Sequence, residues 1–324
     1  MKRFKNILYV VGNDADDDCA LARAFDLARS NQAHLTIAAV VEQLPAELSL
    51  EGLDVTGEGL QRALVDKAKA RLDALIADRA EDLDAERLVL TGELFLAVIR
   101  DVLGHGRDLV IKCAGDTGML DRLLGSDDMH LLRKCPCPVW LLRPTPQPRF
   151  HRVLAAVDVE QLYPEAELGT RRELSLSILE IAASLAVAEF AELHVVHAWD
   201  SVAESVMRLG ALSLPDDQIQ AHVAAERRRH GSALEAALHA LGDRIGPEAL
   251  SWLKPVLHLP KGPPHRVLPA VAADVEADVV VLGTVGRSGL AGLLIGNTAE
   301  NVLQRLDCSV LALKPRGFAS PVGL

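Results

Sequence analysis

DVVVLGTVGRSGLAGLLIGNTAENVLQRLDCSVLALKP, residues Asp278 to Pro315, decides the fold. It opens on Val279 to Leu282, an unbroken apolar run of the kind found in strands buried on both faces of a parallel sheet. A glycine-rich segment from Gly283 to Gly296 follows, then a helix-forming stretch, Ala299 to Leu306, and a second apolar run, Val310 to Leu313. The same order occurs earlier in the chain. DLVIK (Asp108 to Lys112) answers to DVVVL (Asp278 to Leu282) at an offset of 170, and CPVWLLRP (Cys137 to Pro144) answers to CSVLALKP (Cys308 to Pro315) at 171. Near the start of each half, KNILYVV (Lys5 to Val11) answers to HRVLAAV (His151 to Val157) at 146. Three matches in one order imply a duplicated domain. The growth of the offset implies an insertion at the front of the second half, expected in Glu160 to Arg171 and the helical stretch after it.

Working outward, apolar runs alternate with segments of helical period in both halves. Strands are expected near Ile7 to Val11, His34 to Val41, Arg87 to Leu90, Leu109 to Ile111 and Val139 to Leu142, and again near Val153 to Val157, Leu193 to Ala198, Pro255 to Leu259, Val279 to Leu282 and Val310 to Leu313. Leu60, Leu64, Leu72, Leu75 and Ile76 mark one helical face, and Ile219, Val223, Leu234, Leu238 and Leu241 mark its counterpart. The expectation is an α/β protein of two tandem doubly wound five-stranded parallel-sheet domains, Rossmann-like in winding. The domains are 1–143 and 151–316, joined by the Pro-rich linker 144–150 and followed by a tail, 317–324. In that linker Pro144, Pro146 and Pro148 stiffen the chain and exclude helix.

Composition narrows the function. The 324 residues are 49% hydrophobic and 24% charged, which suits a chain folded throughout. A net charge of -11 repels nucleic acid and anionic lipid, so neither is expected as a partner. No charge-free stretch exceeds the 12 residues of Ser288 to Ala299, too few to span a bilayer of about 20 helical residues. Five cysteines, at 19, 113, 135, 137 and 308, form no even framework and suit a reducing cytoplasm. Cys135-Pro136-Cys137 lacks the further ligands of a zinc site and reads as small core residues. His194 and His197, three apart in a strand, face opposite sides and cannot share a metal. Arg227 to His230 reads as a solvated helix face.

In doubly wound sheets, ligands bind beyond the carboxyl ends of the strands where the winding reverses. A glycine loop entering a helix there makes an anion site, because glycine lets the backbone approach closely and the first N-H groups are unpaired. The loop is not a Walker A sequence, and Ser288 sits in no nucleophile elbow. Asn297 and Thr298 are residue types suited to an N-cap, the blander reading of the same segment. The spacing Gly283-x2-Gly286-x9-Gly296 followed by a small polar residue resembles the nucleotide-binding signature of the universal stress protein family. With LIGNTAENV and MHLLRKCPCPVWLLRP, the chain looks most like the tandem E-type members.

That resemblance implies an ATP site in the second domain, possibly completed by Mg2+. Asp158 would contact adenine and ribose, Ala198 would line the adenine pocket, and Leu282 and Gly283 would follow base and sugar. Gly286, Gly296, Asn297 and Thr298 would receive phosphates, and Arg287 would pair with a phosphate or a protein acid. Asn297 stands where ATP-binding members carry Ser or Thr, so an amide replaces a hydroxyl. In the first half Gly12 takes the place of Asp158, and six residues rather than nine separate Gly118 from Gly125. Acids at 116, 121, 127 and 128 stand where phosphate would sit, so no nucleotide is expected there.

The expected function is a cytoplasmic, non-catalytic stress-response protein, since no phosphate-clamping lysine or water-activating base is identifiable beside the loop. The first domain is expected to pack on the second, with an unknown protein partner and possible homodimer formation. The alternatives are an interaction module with an empty nucleotide site, a site for an acyl-bearing metabolite, and a weak nucleotide hydrolase.

Overall fold

The computed structural model describes residues 4–12, 17–45, 47–48, 56–77, 79, 83–114, 126–144, 149–209, 214–284 and 297–323. The chain divides into two compact units, 3–148, with which 319–324 group, and 149–318. The first runs β1 (Asn6–Val10), α1 (Asp17–Asn31), β2 (His34–Val41), α2 (Gly57–Ala77), β3 (Glu86–Thr91), α3 (Leu94–His105), β4 (Leu109–Cys113), α4 (Ser126–Lys134) and β5 (Val139–Leu142). The second runs β6 (Arg152–Ala156), α5 (Glu165–Glu189), β7 (Glu192–Val196), α6 (Val202–Arg208), α7 (Asp216–Ile245), α8 (Pro247–Leu253), β8 (Val256–His258), α9 (Pro264–Asp274), β9 (Val279–Gly283), α10 (Asn297–Leu303) and β10 (Ser309–Leu313).

Within the first unit the strand order is β3-β2-β1-β4-β5, all parallel. Within the second it is β8-β7-β6-β9-β10, again all parallel. Each is the doubly wound order: the first strand lies centrally, its successor on one side and the fourth strand on the other. The apolar runs form these strands because each residue is covered from both faces; Ile7, Leu8, Leu109, Val110, Val279 and Val281 are wholly buried. Burying such a side chain contributes about 1.5–3 kcal/mol. Helices close where the chain can turn: α3 ends at Gly106, whose φ of 62 is left-handed and whose N-H donates to the Val102 carbonyl.

The inserted residues fall in two places. β1 and β6 begin at 6 and 152, β2 and β7 at 34 and 192, and β3 and β8 at 86 and 256, so the offset grows from 146 to 158 and then 170. The first step matches the sequence-based expectation and lengthens α5 to 25 residues against 15 in α1. The second lies after β7, where α6, α7 and α8 stand in place of α2 alone. On α2, Leu72 and Ile76 are buried as the helical period implies, but Leu64 is 37% exposed, one turn beyond the covered face. No helix among the described residues is long and apolar enough to cross a membrane.

Candidate functional site

Register brings two predicted positions, Asp158 and Ala198, level with Thr284, the residue after the predicted pair Leu282 and Gly283, at the carboxyl edge of the second sheet. Ala156 of β6 pairs with Val196 of β7 and with Leu282 of β9, so Asp158, Ala198 and Thr284 each stand two residues beyond one rung. The winding reverses at β6, with β7 on one side and β9 on the other.

Asp158 is anchored by α5 and the connection leading to it. Its Oδ2 accepts hydrogen bonds from the Tyr163 hydroxyl at 2.9 Å and the Arg171 guanidinium at 3.0 Å, and its Oδ1 accepts the Glu160 N-H at 3.2 Å. Arg171 lies 3.5 Å over the Tyr163 ring and also pairs with Glu167. Burial, then the Asp158 charge, pushes the Tyr163 phenol up to about 12, so it stays a donor at neutral pH. The Asp158 side chain remains 42% exposed and keeps acceptor capacity toward solvent.

Ala198 is half-buried just past β7, between His197 and Trp199, both buried. His197 turns to α7: its Nε2 lies 3.0 Å from Nδ1 of His230, and its Nδ1 lies 3.2 Å from the Val157 carbonyl. His230 is only 2% exposed, so the Arg227–His230 run is a solvated face in its first residues but not in its last. Trp199 covers His230 at a ring separation of 5.4 Å. Burial lowers both imidazoles from their ordinary value, keeping them neutral. Burial would raise Glu160, but the Leu162 and Gln161 N-H groups, with His230 and Arg229 beside it, bring it below its usual range. His194, facing the other way, pairs instead with His258 at 3.0 Å.

At β9, Leu282 is buried and Gly283 meets α5 closely. A Cβ at 283 would lie 2.7 Å from Cδ2 of Leu174, so a side chain there would have to displace the end of that leucine. Thr284 is 1% exposed, and its hydroxyl accepts a hydrogen bond from the Lys314 ammonium at 2.5 Å. A lysine thus stands where the glycine segment leaves β9, which the sequence reading missed; its alignment with Arg143 in the repeat was the available signal. Gly286, Arg287 and Gly296 lie outside the described residues, as does the side chain of Asn297. Helix α10 begins at Asn297 rather than Ala299, so Asn297 and the exposed Thr298 belong to its first turn instead of capping it.

The first domain differs at the matching rung. Lys112, counterpart of Leu282, buries its ammonium 3.0 Å from Asp128 of α4 and donates to the Cys113 carbonyl at 2.9 Å. The charge of Asp128 is therefore balanced, which modifies the expectation of a purely repulsive acidic cluster; Asp116 and Asp121 lie outside the described residues. Gly12 is half-buried at the position of Asp158. Cys135 and Cys137 are buried thiols outside any disulfide with sulfurs 3.6 Å apart, and their mutual contact, then burial, pushes the Cys137 thiol well up. Among the described residues no group of three or more His, Cys, Asp or Glu side chains could hold a metal ion.

Fold and edge geometry together define a tandem pair of doubly wound α/β domains, with Asp158 and Ala198 at the switch point of the second. The sequence profile of the Universal stress protein family matches residues 3–143 and 150–314, and the chain belongs to that family. It is 30% identical to Universal stress protein E of Escherichia coli (strain K12), covering 100% of this chain and 98% of that protein. It is 29% identical to the Universal stress protein E homolog of Haemophilus influenzae over 97% of this chain and 98% of the relative. Among solved structures, a functionally unknown protein, PA1789, from Pseudomonas aeruginosa PAO1 matches with a TM-score of 0.66 and 29% identity over 96% of this chain and 93% of that one. A putative universal stress protein from Pseudomonas aeruginosa UCBPP-PA14 matches with a TM-score of 0.65 and 28% identity, over 96% and 94% of the two chains.

Proposed function

We propose that this universal stress protein acts in the cytoplasm as a regulatory stress-response protein whose second domain binds one adenine nucleotide, ATP accompanied by Mg2+, without turning it over as its function. The observation that carries the reading is the meeting of Asp158, Ala198 and the Leu282–Gly283 end of β9 at the point of winding reversal. Asp158 is fixed in direction by Tyr163 and Arg171 yet open on one side, as a carboxylate that accepts ribose hydroxyls must be. Ala198, with a single methyl side chain, would obstruct a planar base beyond β7 little, and Lys314 supplies positive charge beside the end of β9. A bound Mg2+ would come with the nucleotide, held by its phosphates and water, a common mode for this ion. The first domain, with Lys112 and Asp128 closed on each other, takes no nucleotide in this reading.

A second reading, an interaction module with an empty nucleotide site, is favoured by one contact set: Tyr163 and Arg171 already satisfy Asp158 Oδ2. Titration calorimetry with Mg-ATP on the purified chain separates the two. Wild type should bind at physiological millimolar ATP or below, and Asp158→Ala should weaken binding about tenfold or more, the loss expected for hydrogen bonds to a charged group. Absence of binding by wild type would leave the interaction module standing.

A further inference from the structure

We propose that Lys314 binds the phosphate chain of the nucleotide and makes the second domain selective for nucleoside polyphosphates over nucleosides and monophosphates. The inference rests on the adenine-nucleotide reading and deepens it. Lys314 follows the last residue of β10, and β10 runs parallel to β9 with Leu313 opposite Gly283. Lys314 therefore emerges level with Thr284, at the edge from which residues 285–296 depart. Three contacts and positions fix its ammonium there. The strand end sets its backbone, the Thr284 hydroxyl accepts from Nζ at 2.5 Å, and the Phe318 ring lies 5.0 Å from Nζ. Thr284 is itself oriented, since its hydroxyl donates to the Leu313 carbonyl at 3.4 Å.

The polarity of the edge matches that of a nucleotide. Asp158, an acceptor, stands beyond β6; Thr284 stands beyond β9; Lys314, a cation, stands beyond β10. Strands two apart are separated by roughly 10 Å, so sugar at β6 and the end of a phosphate chain near β10 are compatible in reach. A half-buried ammonium gains more from a phosphate than an exposed one, because less water screens the pair.

The test titrates ATP, AMP and adenosine into full-length wild type, Lys314→Gln and Lys314→Arg. Lys314→Gln should bind ATP about tenfold or more weakly while binding adenosine as wild type does, and Lys314→Arg should keep most of the ATP affinity. Equal loss for ATP and adenosine, or no loss for ATP, overturns the assignment to Lys314. If wild type binds none of the three, the nucleotide reading falls and this inference with it; if wild type binds ATP and Lys314→Gln binds it equally well, only the inference falls. Matching adenosine affinities show that the variants are folded.

Discussion

Asp108 and Asp278 hold equivalent posts at the foot of the fourth strand of each domain. Each turns its carboxylate onto two backbone N-H groups where the first strand begins: Asp108 accepts from Lys5 and Asn6 at 2.6 and 3.0 Å, and Asp278 from His151 and Arg152 at 2.6 and 2.8 Å. The aspartate was legible as part of the DLVIK and DVVVL repeat. Its task was not, because the donors lie more than a hundred positions away in the chain. Gly283 teaches a related lesson. Its place in the signature suggests close approach to a ligand, while the nearest atoms of the fold belong to Leu174. Gly283→Ala should cost about 1–3 kcal/mol of stability through overpacking, read as a lowered urea midpoint. An unchanged midpoint would show that the Leu174 side chain turns aside at no cost and would return the glycine to a purely ligand-directed role.

At the scale of elements, the strands were the most legible feature, because parallel strands buried on both faces leave continuous apolar runs. Between β7 and β8, α7 was legible from its apolar face, of which Ile219, Leu234 and Leu241 are buried, whereas the short α6 and α8 and the pair of imidazoles that joins α7 to the end of β7 were not. His197 on the β7 side and His230 on α7 share one hydrogen bond, which needs complementary tautomers while both are neutral and is lost when both are protonated. With His258, they lie below the usual imidazole value because burial disfavours the cation. The unfolded chain therefore takes up protons that the folded chain refuses. Stability is complete above the ordinary value of 6.5 and falls as pH drops from there through the lowered folded values; Glu160, held below 4.5, adds its loss at still lower pH. Urea midpoints from pH 8 to 5 should decline below about 6.5, and less steeply in a His197→Gln, His230→Gln double variant. A flat wild-type profile would contradict this account of the pair. In the first domain, Lys112→Met leaves Asp128 buried opposite an apolar side chain, which should cost about 3–5 kcal/mol, with much of it recovered by adding Asp128→Leu. Loss without recovery would mean that Asp128 serves another partner.

The whole molecule is a duplication whose copies have diverged at one edge. Composition and the repeat made the two-domain architecture legible, while residues 145–148 of the expected Pro-rich linker lie outside the described residues. What decides which copy can take an anion was only partly legible. The acids of the first domain stood out, but the balance of Asp128 by Lys112 depends on a strand and a helix meeting, and Lys314 acquires meaning only beside Thr284. A net charge of -11 sharpens the point: an anionic ligand must find a local positive site on a molecule that repels it elsewhere. One such site per chain is the central claim. Calorimetric titration of Mg-ATP into full-length protein should give one site per chain, abolished by Gly286→Glu and unchanged by Asp14→Asn in the first domain. No binding at millimolar ATP, two sites per chain, or a site that survives Gly286→Glu and disappears with Asp14→Asn would contradict it.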